Sequence, residues 1–571
     1  MSPLRVRWLG RVRYEDASAL QHGLVRGTGD YLLLLEHPPV YTLGIRAKPE
    51  HLLDGVASSG AAVVRADRGG DVTYHGPGQL VAYPIIDLPM GPRTVPAYVR
   101  RIEQLVIDVL SDLGLPGTGR LPEYPGVWVA PEGSSPRKIC AIGVRVARGR
   151  SMHGLALNVD PDMAMFANIV PCGIADKAVT SLAAEGVTVT MADVVDAVCS
   201  RAASAFSIKG EWPRQIERQD ASPPVRAGVP VAVGVPGSTS SSSESFAPLP
   251  VTSALERRLT ASGVDLSASV GQREPKPAFL RAPLHIGKEA IRLRSMMREL
   301  NLVTVCEEAG CPNLSECWSD GTATFMINGE RCTRACGFCL VDTRHPLPLD
   351  PHEPRRVAEA VSRMGLAHAV VTAVARDDLA DGGAGAFAAA IAAIRDLSPA
   401  TAVEVLIPDC KGDEAALATV FQAVPDVLNH NLETVLRLQR AVRPSASYAR
   451  SLSVLARAKA AGLTTKSGII LGMGERVEEV HGALSDLASV GVDIVTIGQY
   501  LRPSVRHLPV ARWWQPAEFD SLREVASEMG FAHVEASPLT RSSYHARQAA
   551  GAAGAAAGAA GAANRIPVSA S

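Results

Sequence analysis

The chain has 571 residues, more than the roughly 250 to 300 at which one hydrophobic core usually divides, so two or three domains are expected. With 47% hydrophobic residues and a net charge of -1 it suits a soluble globular enzyme, and the charge argues against a generally polyanion-binding surface, so no nucleic acid partner is expected. Ten cysteines are too few for a disulfide scaffold at this length, and six crowd between Cys306 and Cys339, the pattern of reduced thiols gathered for a metal. The opening MSPLRVRWLGRVRYED has no signal-peptide core, and no run of about 18 apolar residues occurs, so a cytoplasmic chain without a membrane segment is expected.

Residues 1–215 bunch β-rich runs (YLLLLEH, QLVAYPI, GVWVA, KICAIGVRV) around few helices, which predicts an α+β domain with a mixed or antiparallel sheet. Residues 216–275, with PPVRAGVPVAVGVPGSTSSSSES, have the proline, glycine and serine content of a flexible linker. From 276 to 548 short β-rich runs alternate with helical patterns: TATFMI, RRVAEAVSRMG, HAVVTAV, AGAFAAAIAAIRDL, TAVEVLI, DEAALATVFQAV, KSGIILG, VDIVTIG. Such alternation predicts an α/β domain with a parallel sheet, a complete or partial (β/α) barrel, whose chemistry sits where strands end. RCTRACGFC follows TATFMI and VARDD follows HAVVTA, so both fall there. Residues 549–571 interrupt alanine with glycine and predict a mostly disordered tail.

Cys332, Cys336 and Cys339 form one CX3CX2C group without a histidine close behind. Structural zinc normally takes four ligands from paired knuckles, which disfavours it here. Three thiolates on a short loop can hold three irons of a 4Fe-4S cube and leave the fourth open, with Gly337 letting the backbone fold close around it; the alternative is a buried or zinc-binding trio.

This spacing is similar to that of radical S-adenosylmethionine enzymes. CEEAGCPNLSECW, with Cys306, Cys311 and Cys317 in a CX4CX5C pattern, together with VTAVARDDLADGGA, HNLETV, KSGIILGMGE, TIGQYLRPS and RSSYHA, resembles lipoyl synthase over about Lys276 to Ala546. The resemblance implies that S-adenosylmethionine chelates the vacant iron and is cleaved to a radical that takes hydrogen from an unactivated alkyl chain. It also implies a second, auxiliary 4Fe-4S cluster on Cys306, Cys311, Cys317 and Ser543, dismantled to supply two sulfur atoms, and reduced ferredoxin or flavodoxin as electron donor. Cys410 has no partner in spacing and reads as structural.

In the first half two stretches carry chemistry: RGGDVTYHGPGQ (Arg68 to Gln79) and PCGI around Cys172. The glycine-rich loop lacks the GXXXXGK[ST] order of a phosphate-binding P-loop and reads as a loop closing over a ligand. Cys140 and Cys199 sit in apolar runs as packing residues, whereas Cys172, between Pro171 and Gly173, is placed for exposure.

RGGDVTYHGPGQ, RKICAIGV, HGLALNV and PCGI, in this order, resemble octanoyltransferase, which has a lipoate/biotin ligase-like fold, over about Leu4 to Gly210. The resemblance implies that Cys172 takes an octanoyl group from acyl carrier protein as a thioester and passes it to a lysine of a lipoyl domain, in 2-oxoacid dehydrogenase and glycine cleavage complexes. Lys138 would pair with it, since a nearby ammonium favours thiolate and can shuttle protons. Arg68, Gly69, Gly70, Asp71, Val72, Thr73, Tyr74 and His75, with Ala141, Ile142, Gly143, Gly154, Leu155 and Ala156, would surround the acyl substrate. His75 reads either as shaping that pocket or as satisfying its own loop. PRKICAIGVRVARGR, with five basic residues and no acid, reads either as a surface for an acidic carrier or as a solvated strand face.

The two halves would then make consecutive steps, the octanoyl-lysine from the first being thiolated by the second. The rival in which one half only docks lipoyl domains is opposed by the intact nucleophile and cluster motifs.

Overall fold

The computed structural model describes residues 3–89, 91, 93–173, 177–207, 215–222, 253–267, 269–271, 274–281, 295–300, 302, 313, 316–317 and 320–563, without the side chains of Cys172 and 557–563. The first half holds β1 (Leu4–Arg11), β2 (Tyr31–Glu36), β3 (Val40–Leu43), β4 (Ala62–Arg65), β5 (Val72–His75), β6 (Gln79–Ile85), β7 (Thr118–Leu121), β8 (Tyr124–Val129), β9 (Arg137–Ala147), β10 (Arg150–Asn158), β11 (Ala178–Val179) and β12 (Ile216–Asp220). Nine strands form one mixed sheet, ordered β12-β1-β2-β6-β10-β9-β8-β7 with β11 on β9, and β4-β3-β5 form a second. Three longer helices accompany them, α1 (Tyr14–Leu24), α2 (Thr94–Asp112) and α3 (Met191–Ala205).

The run YLLLLE of β2 is apolar throughout because both its faces are covered. Leu32 and Leu34 pack with Ile102 and Val106 of α2 and Val194 and Val198 of α3. Leu33 and Leu35, on the other face, pack with Leu20 and Leu24 of α1.

In the second half β13 (Thr322–Ile327), β14 (His368–Ala373), β15 (Ala402–Leu406), β16 (Val427–Asn429), β17 (Thr465–Leu471), β18 (Ile494–Gln499) and β19 (His533–Ala536) form one seven-stranded sheet in chain order. Every pairing is parallel. With α4 (Ala254–Ala261) ahead of it, the sheet is wound by α5 (Glu353–Met364), α6 (Ala384–Leu397), α7 (Glu414–Gln422), α8 (Tyr448–Ala460), α9 (Val477–Ser489), α10 (Pro516–Glu528) and α11 (Ala546–Ala563). The strands do not close on themselves, so the half is a partial (β/α) barrel. Lys466 from β17 lies 3.0 Å from the Glu404 carboxylate of β15, both fully buried.

Two expectations are corrected. The flexible segment does not begin at residue 216: β12 pairs in parallel with β1, and α4 puts Leu259 into the core, while 223–252 lie outside the described residues. The alanine-rich tail is helical through Ala563, because Ala549 and Ala553 bury against Val427 and Ile494 and the packed face outweighs the interrupting glycines.

Nor are the halves merely tethered. One hydrophobic cluster runs from Leu20, Leu24 and Leu33 to Leu452, Leu455, Ala456 and Leu487. Where α1 crosses α8, a Cβ on Gly23 would stand 2.7 Å from that of Ala456, so only glycine permits this approach. Among the described residues no helix is long and apolar enough to cross a membrane.

Candidate functional site

The first-half pocket forms where β5, β6, β9, β10 and the loop before β5 meet. Arg68, Gly70, Asp71, Thr73 and His75 line it from the glycine-rich loop and β5, Ala141 to Gly143 from β9, and Gly154 to Ala156 from β10. Tyr14, Val81, Tyr83 and His153 complete the wall. The free space is small, about 50 Å³.

Val72 and Tyr74 do not line it. Strand side chains alternate, and these two point instead into a separate core with Tyr41, Phe166 and Ile169. Gly69 is also off the wall, set behind Gly143, whose added Cβ would stand 2.9 Å from the Gly69 carbonyl.

Arg68 is fixed by Thr42, whose carbonyl accepts from its guanidinium at 2.7 Å. His75 is held at both nitrogens, 2.7 Å from Gln79 Oε1 and 3.3 Å from Thr42 Oγ1. Burial and the neighbouring His37 and Arg68 hold it well below the usual imidazole range, so it serves its loop as a neutral ring while facing the pocket.

Cys172 lies in the short turn Pro171–Gly173, and its side chain is outside the described residues. The turn abuts the pocket rim: a Cβ on Gly173, at φ +70, would meet Asp71 Oδ2 at 2.8 Å. Lys138 is buried on β9 with its Nζ 4.8 Å from the Trp128 ring centre, and it does not line the pocket. Cys140 and Cys199 are buried, their thiols pushed up to about 12 and about 11 by desolvation, as packing residues should be.

In the second half Cys332, Cys336 and Cys339 lie on the loop after β13 and are partly exposed, unlike buried Cys410. The loop is anchored at many points. Arg334 donates to Asp377 at 2.7 and 2.8 Å and to Asp409 at 2.6 Å, tying it to the ends of β14 and β15. The Gly337 N–H donates to the Val442 carbonyl at 2.8 Å, and the Leu508 N–H to the Gly337 carbonyl at 2.9 Å. A Cβ on Gly337 would stand 2.7 Å from the Leu508 side chain, so the glycine is a steric requirement.

The donor set fits an iron-sulfur cluster. Burial pushes the Cys336 and Cys339 thiols up, Cys339 to about 12, and the charge of neighbouring thiols adds to the rise. Cationic irons binding these thiols would relieve both penalties. Among the described residues no three His, Cys, Asp or Glu side chains converge on a single-ion site. A cube instead takes one thiolate per iron.

Cys306 and Cys311 lie outside the described residues. Cys317 is buried, and the C-terminal RSSYHA segment is brought to it. The Tyr544 hydroxyl, next to Ser543, donates to Glu316, next to Cys317, at 3.1 Å. Asn313 Nδ2 donates to the Leu539 carbonyl at 2.8 Å.

Sequence reasoning missed the clamps on Arg334 and the pocket residues Tyr14, Val81, Tyr83 and His153. Arg334 and His153 stood inside quoted motifs, but only the fold shows what they touch.

Residues 13–203 match the lipoyl protein ligase A/B catalytic domain, 256–311 the N-terminal domain of lipoyl synthase of the radical SAM family, and 326–487 the radical SAM superfamily. The lipoyl synthase of Mycobacterium tuberculosis (strain H37Rv) is 55% identical over 273 residues, 48% of this chain and 88% of that protein. The chain belongs to the lipoyl synthase family. The lipoyl synthase of Rubrobacter xylanophilus is likewise 55% identical over 278 residues, 48% of this chain and 87% of its own length. A bi-partite lipoate protein ligase from Thermoplasma acidophilum aligns in structure with 38% of this chain and 88% of its own, at 18% identity and a TM-score of 0.32. The chain carries a segment matching the lipoyl protein ligase A/B catalytic domain ahead of its radical SAM segment. The family implies S-adenosylmethionine and a 4Fe-4S cluster as cofactors.

Proposed function

We propose that the chain performs two consecutive steps of lipoate assembly. Its first domain moves an octanoyl group from acyl carrier protein to a lysine of a lipoyl domain through a Cys172 thioester, and its second inserts two sulfur atoms into that octanoyl chain. The observation that carries this reading is the pairing, on one chain, of the ligase-type pocket with the cysteine loop of a lipoyl synthase domain.

In the first step Arg68, Gly70, Asp71, Thr73 and the β9 and β10 segments enclose the reacting group and exclude water. Lys138 supplies a positive charge that favours thiolate at Cys172 and moves the proton of the incoming amine. In the second step Cys332, Cys336 and Cys339 hold the cluster that binds S-adenosylmethionine, while Cys306, Cys311, Cys317 and Ser543 hold a second, sulfur-donating cluster. Bound S-adenosylmethionine and its cluster supply the radical that removes hydrogen from the alkyl chain. The clamps from Arg334 to Asp377 and Asp409 keep the cysteine loop rigid against the strand ends.

The partners are octanoyl-acyl carrier protein, apo-lipoyl domains of 2-oxoacid dehydrogenase and glycine cleavage complexes, and reduced ferredoxin or flavodoxin, in the cytoplasm. We assign the transferase domain to about 1–222 and the synthase domain to about 253–563. The test of the first step omits S-adenosylmethionine. The chain is incubated with octanoyl-carrier protein and apo-lipoyl domain, and the lipoyl domain should gain one octanoyl group; Cys172→Ser should abolish the gain. Octanoylation by the serine variant at the unaltered rate would contradict the reading.

A further inference from the structure

Asp409, in the turn after β15, is fully buried and braces the cysteine loop: Arg334 Nη2 donates to its Oδ1 at 2.6 Å. Its other oxygen, Oδ2, is buried without a hydrogen-bond donor among the described residues, although Arg450 Nη1 on α8 stands only 3.6 Å away. Burial alone would raise the Asp409 carboxyl, but Arg334 and then Arg450 outweigh this and hold it at about 2, so it is a carboxylate between two guanidiniums.

What holds Arg450 off that open oxygen comes from the other half of the chain. Arg450 Nε donates to Asp16 Oδ2 on α1 at 3.1 Å, and Asp16 is only 1% exposed. The second Asp16 oxygen accepts from the Ser453 hydroxyl at 3.4 Å. Four charges thus alternate from the cysteine loop to the first half, in the order Arg334, Asp409, Arg450, Asp16. Asp16 lies in the ligase-type segment, outside the segments that match lipoyl synthase, so the last member of this row is particular to a chain that carries both.

The backbone beside these carboxylates adds an independent sign. Cys410, Lys411 and Gly412 run at φ +44, +54 and +71, a conformation that the two non-glycine residues adopt at a cost. Both halves hold this turn in place. Arg13 donates to the Lys411 carbonyl, and Arg457 donates to the carbonyls of Gly412 and Glu15 at 3.1 Å each. Lys411 Nζ donates to the carbonyl of Asp377, whose carboxylate is the other clamp on Arg334. A Cβ on Gly412 would stand 2.5 Å from Asp16 Oδ1, so α1 is seated against the turn as closely as glycine allows.

We propose that Asp16 is a positioning residue for the synthase reaction: by engaging Arg450 it leaves Asp409 to Arg334, and so a side chain of the first half fixes the cysteine loop of the second. This rests on the reading of Cys332, Cys336 and Cys339 as the cluster loop. Without the Asp16 charge, Arg450 turns its donors to the open Asp409 Oδ2, and one buried carboxylate is then shared by two arginines. Arg334 loses its exclusive partner, and the loop that it anchors loosens. Arg450 is therefore held as a competitor, and removing it should cancel the loss of Asp16.

Amide hydrogen exchange of residues 332–339 in the full apo chain tests this without a cluster. Asp16→Asn, which keeps the shape of the side chain, should speed exchange of the loop at least about threefold, as expected for one weakened hydrogen bond holding it closed. Arg450→Gln in the Asp16→Asn background should return it to within about twofold, and Asp486→Asn, which breaks the other ion pair between the halves, should leave it within about twofold. Iron release from the reconstituted chain to a chelator should rank the variants in the same order. Unaltered loop exchange in Asp16→Asn would overturn the proposal. So would a double variant as fast as the single one, or an Asp486→Asn chain loosened as much, since either would mean a general slackening of the interface. Full iron content in a chain with Cys332, Cys336 and Cys339 replaced by alanine would instead fail the cluster reading, with the apo exchange rates still deciding the clamp.

Discussion

Arg7 on β1 and Asp486 on α9, residues of different halves of the chain, are joined by the Arg7 Nε–H, which is shared between the two carboxylate oxygens at 3.1 and 3.0 Å, and both side chains are buried to within 2%. The same carboxylate accepts from the Tyr31 hydroxyl at 3.1 Å and the Tyr448 hydroxyl at 2.9 Å. A second contact pairs Asp16 on α1 with Arg450 on α8 at 3.1 Å. The domains are therefore fastened by chemistry that the intervening segment does not supply.

Asp486→Ala leaves the Arg7 charge buried without its main partner and the Tyr448 hydroxyl without its acceptor, while Tyr31 keeps Ser489 at 2.8 Å. A loss of roughly 3–5 kcal/mol is expected from breaking a buried pair. Denaturant unfolding of the apo chain measures it, and Arg7→Met combined with Asp486→Leu should recover much of the loss. A loss below 1 kcal/mol for Asp486→Ala would mean that the contact is loose in solution.

Cleavage at a protease site inserted between residues 223 and 252 should leave the two halves co-eluting on size exclusion, because the shared core and ion pairs remain. Gly23→Leu should weaken this association, since the α1-α8 crossing has no room for a side chain beside Ala456. Gly23→Ala alone should cost about 1–3 kcal/mol as overpacking, and Ala456→Gly should offset it. Separation of the unaltered cleaved halves would show the interface to be weak.

The cysteine sets are expected to divide the second reaction. Replacing Cys332, Cys336 and Cys339 with alanine should abolish reductive cleavage of S-adenosylmethionine. Replacing Cys306, Cys311 and Cys317 should preserve cleavage and abolish sulfur insertion. Gly337→Val should reduce iron loading by displacing Leu508, with partial recovery in the Leu508→Ala background. Sulfur insertion by the second triple variant would contradict the assignment.

Acid should destabilise the apo chain in a defined direction. Burial holds His37 and His430 near pKa 4, below the unfolded value of about 6.5, so the unfolded state takes up protons that the folded rings refuse. Stability is lost as pH falls from about 6.5 toward 4. Glu404 adds to the loss at lower pH: burial raises its pKa, but Lys466 and His368 outweigh this and hold it at about 2, so its contribution fades below the unfolded value near 4.5. Melting temperatures between pH 7.5 and 4 should fall monotonically, and a maximum near pH 5 would contradict this.

Much of the second half was legible in its sequence because its signals are local. TATFMI and HAVVTA became β13 and β14, and RCTRACGFC fell at a strand end as the βα alternation requires. What was not legible depends on long-range pairing. Tyr14 reaches the pocket from α1 and His153 from β10, and nothing in the local pattern of either places them together. Leu33 and Leu35 look like any core residues, and only the fold shows that the core they join includes the barrel. Val72 and Tyr74 could have been separated from Thr73 and His75 by strand alternation in VTYH. The alanine-rich tail misled because composition describes an isolated helix, not one with a buried face.

The most direct test of a two-step enzyme follows the intact mass of one apo-lipoyl domain incubated anaerobically with the reconstituted chain, octanoyl-carrier protein, S-adenosylmethionine and reductant. The expected course is an octanoyl adduct that rises first and then converts to the lipoyl form, with neither species from Cys172→Ser and only the octanoyl form from the Cys332, Cys336 and Cys339 triple variant. A lipoyl domain that stayed unmodified with the intact chain, or that became lipoylated by Cys172→Ser from the same donor, would contradict it.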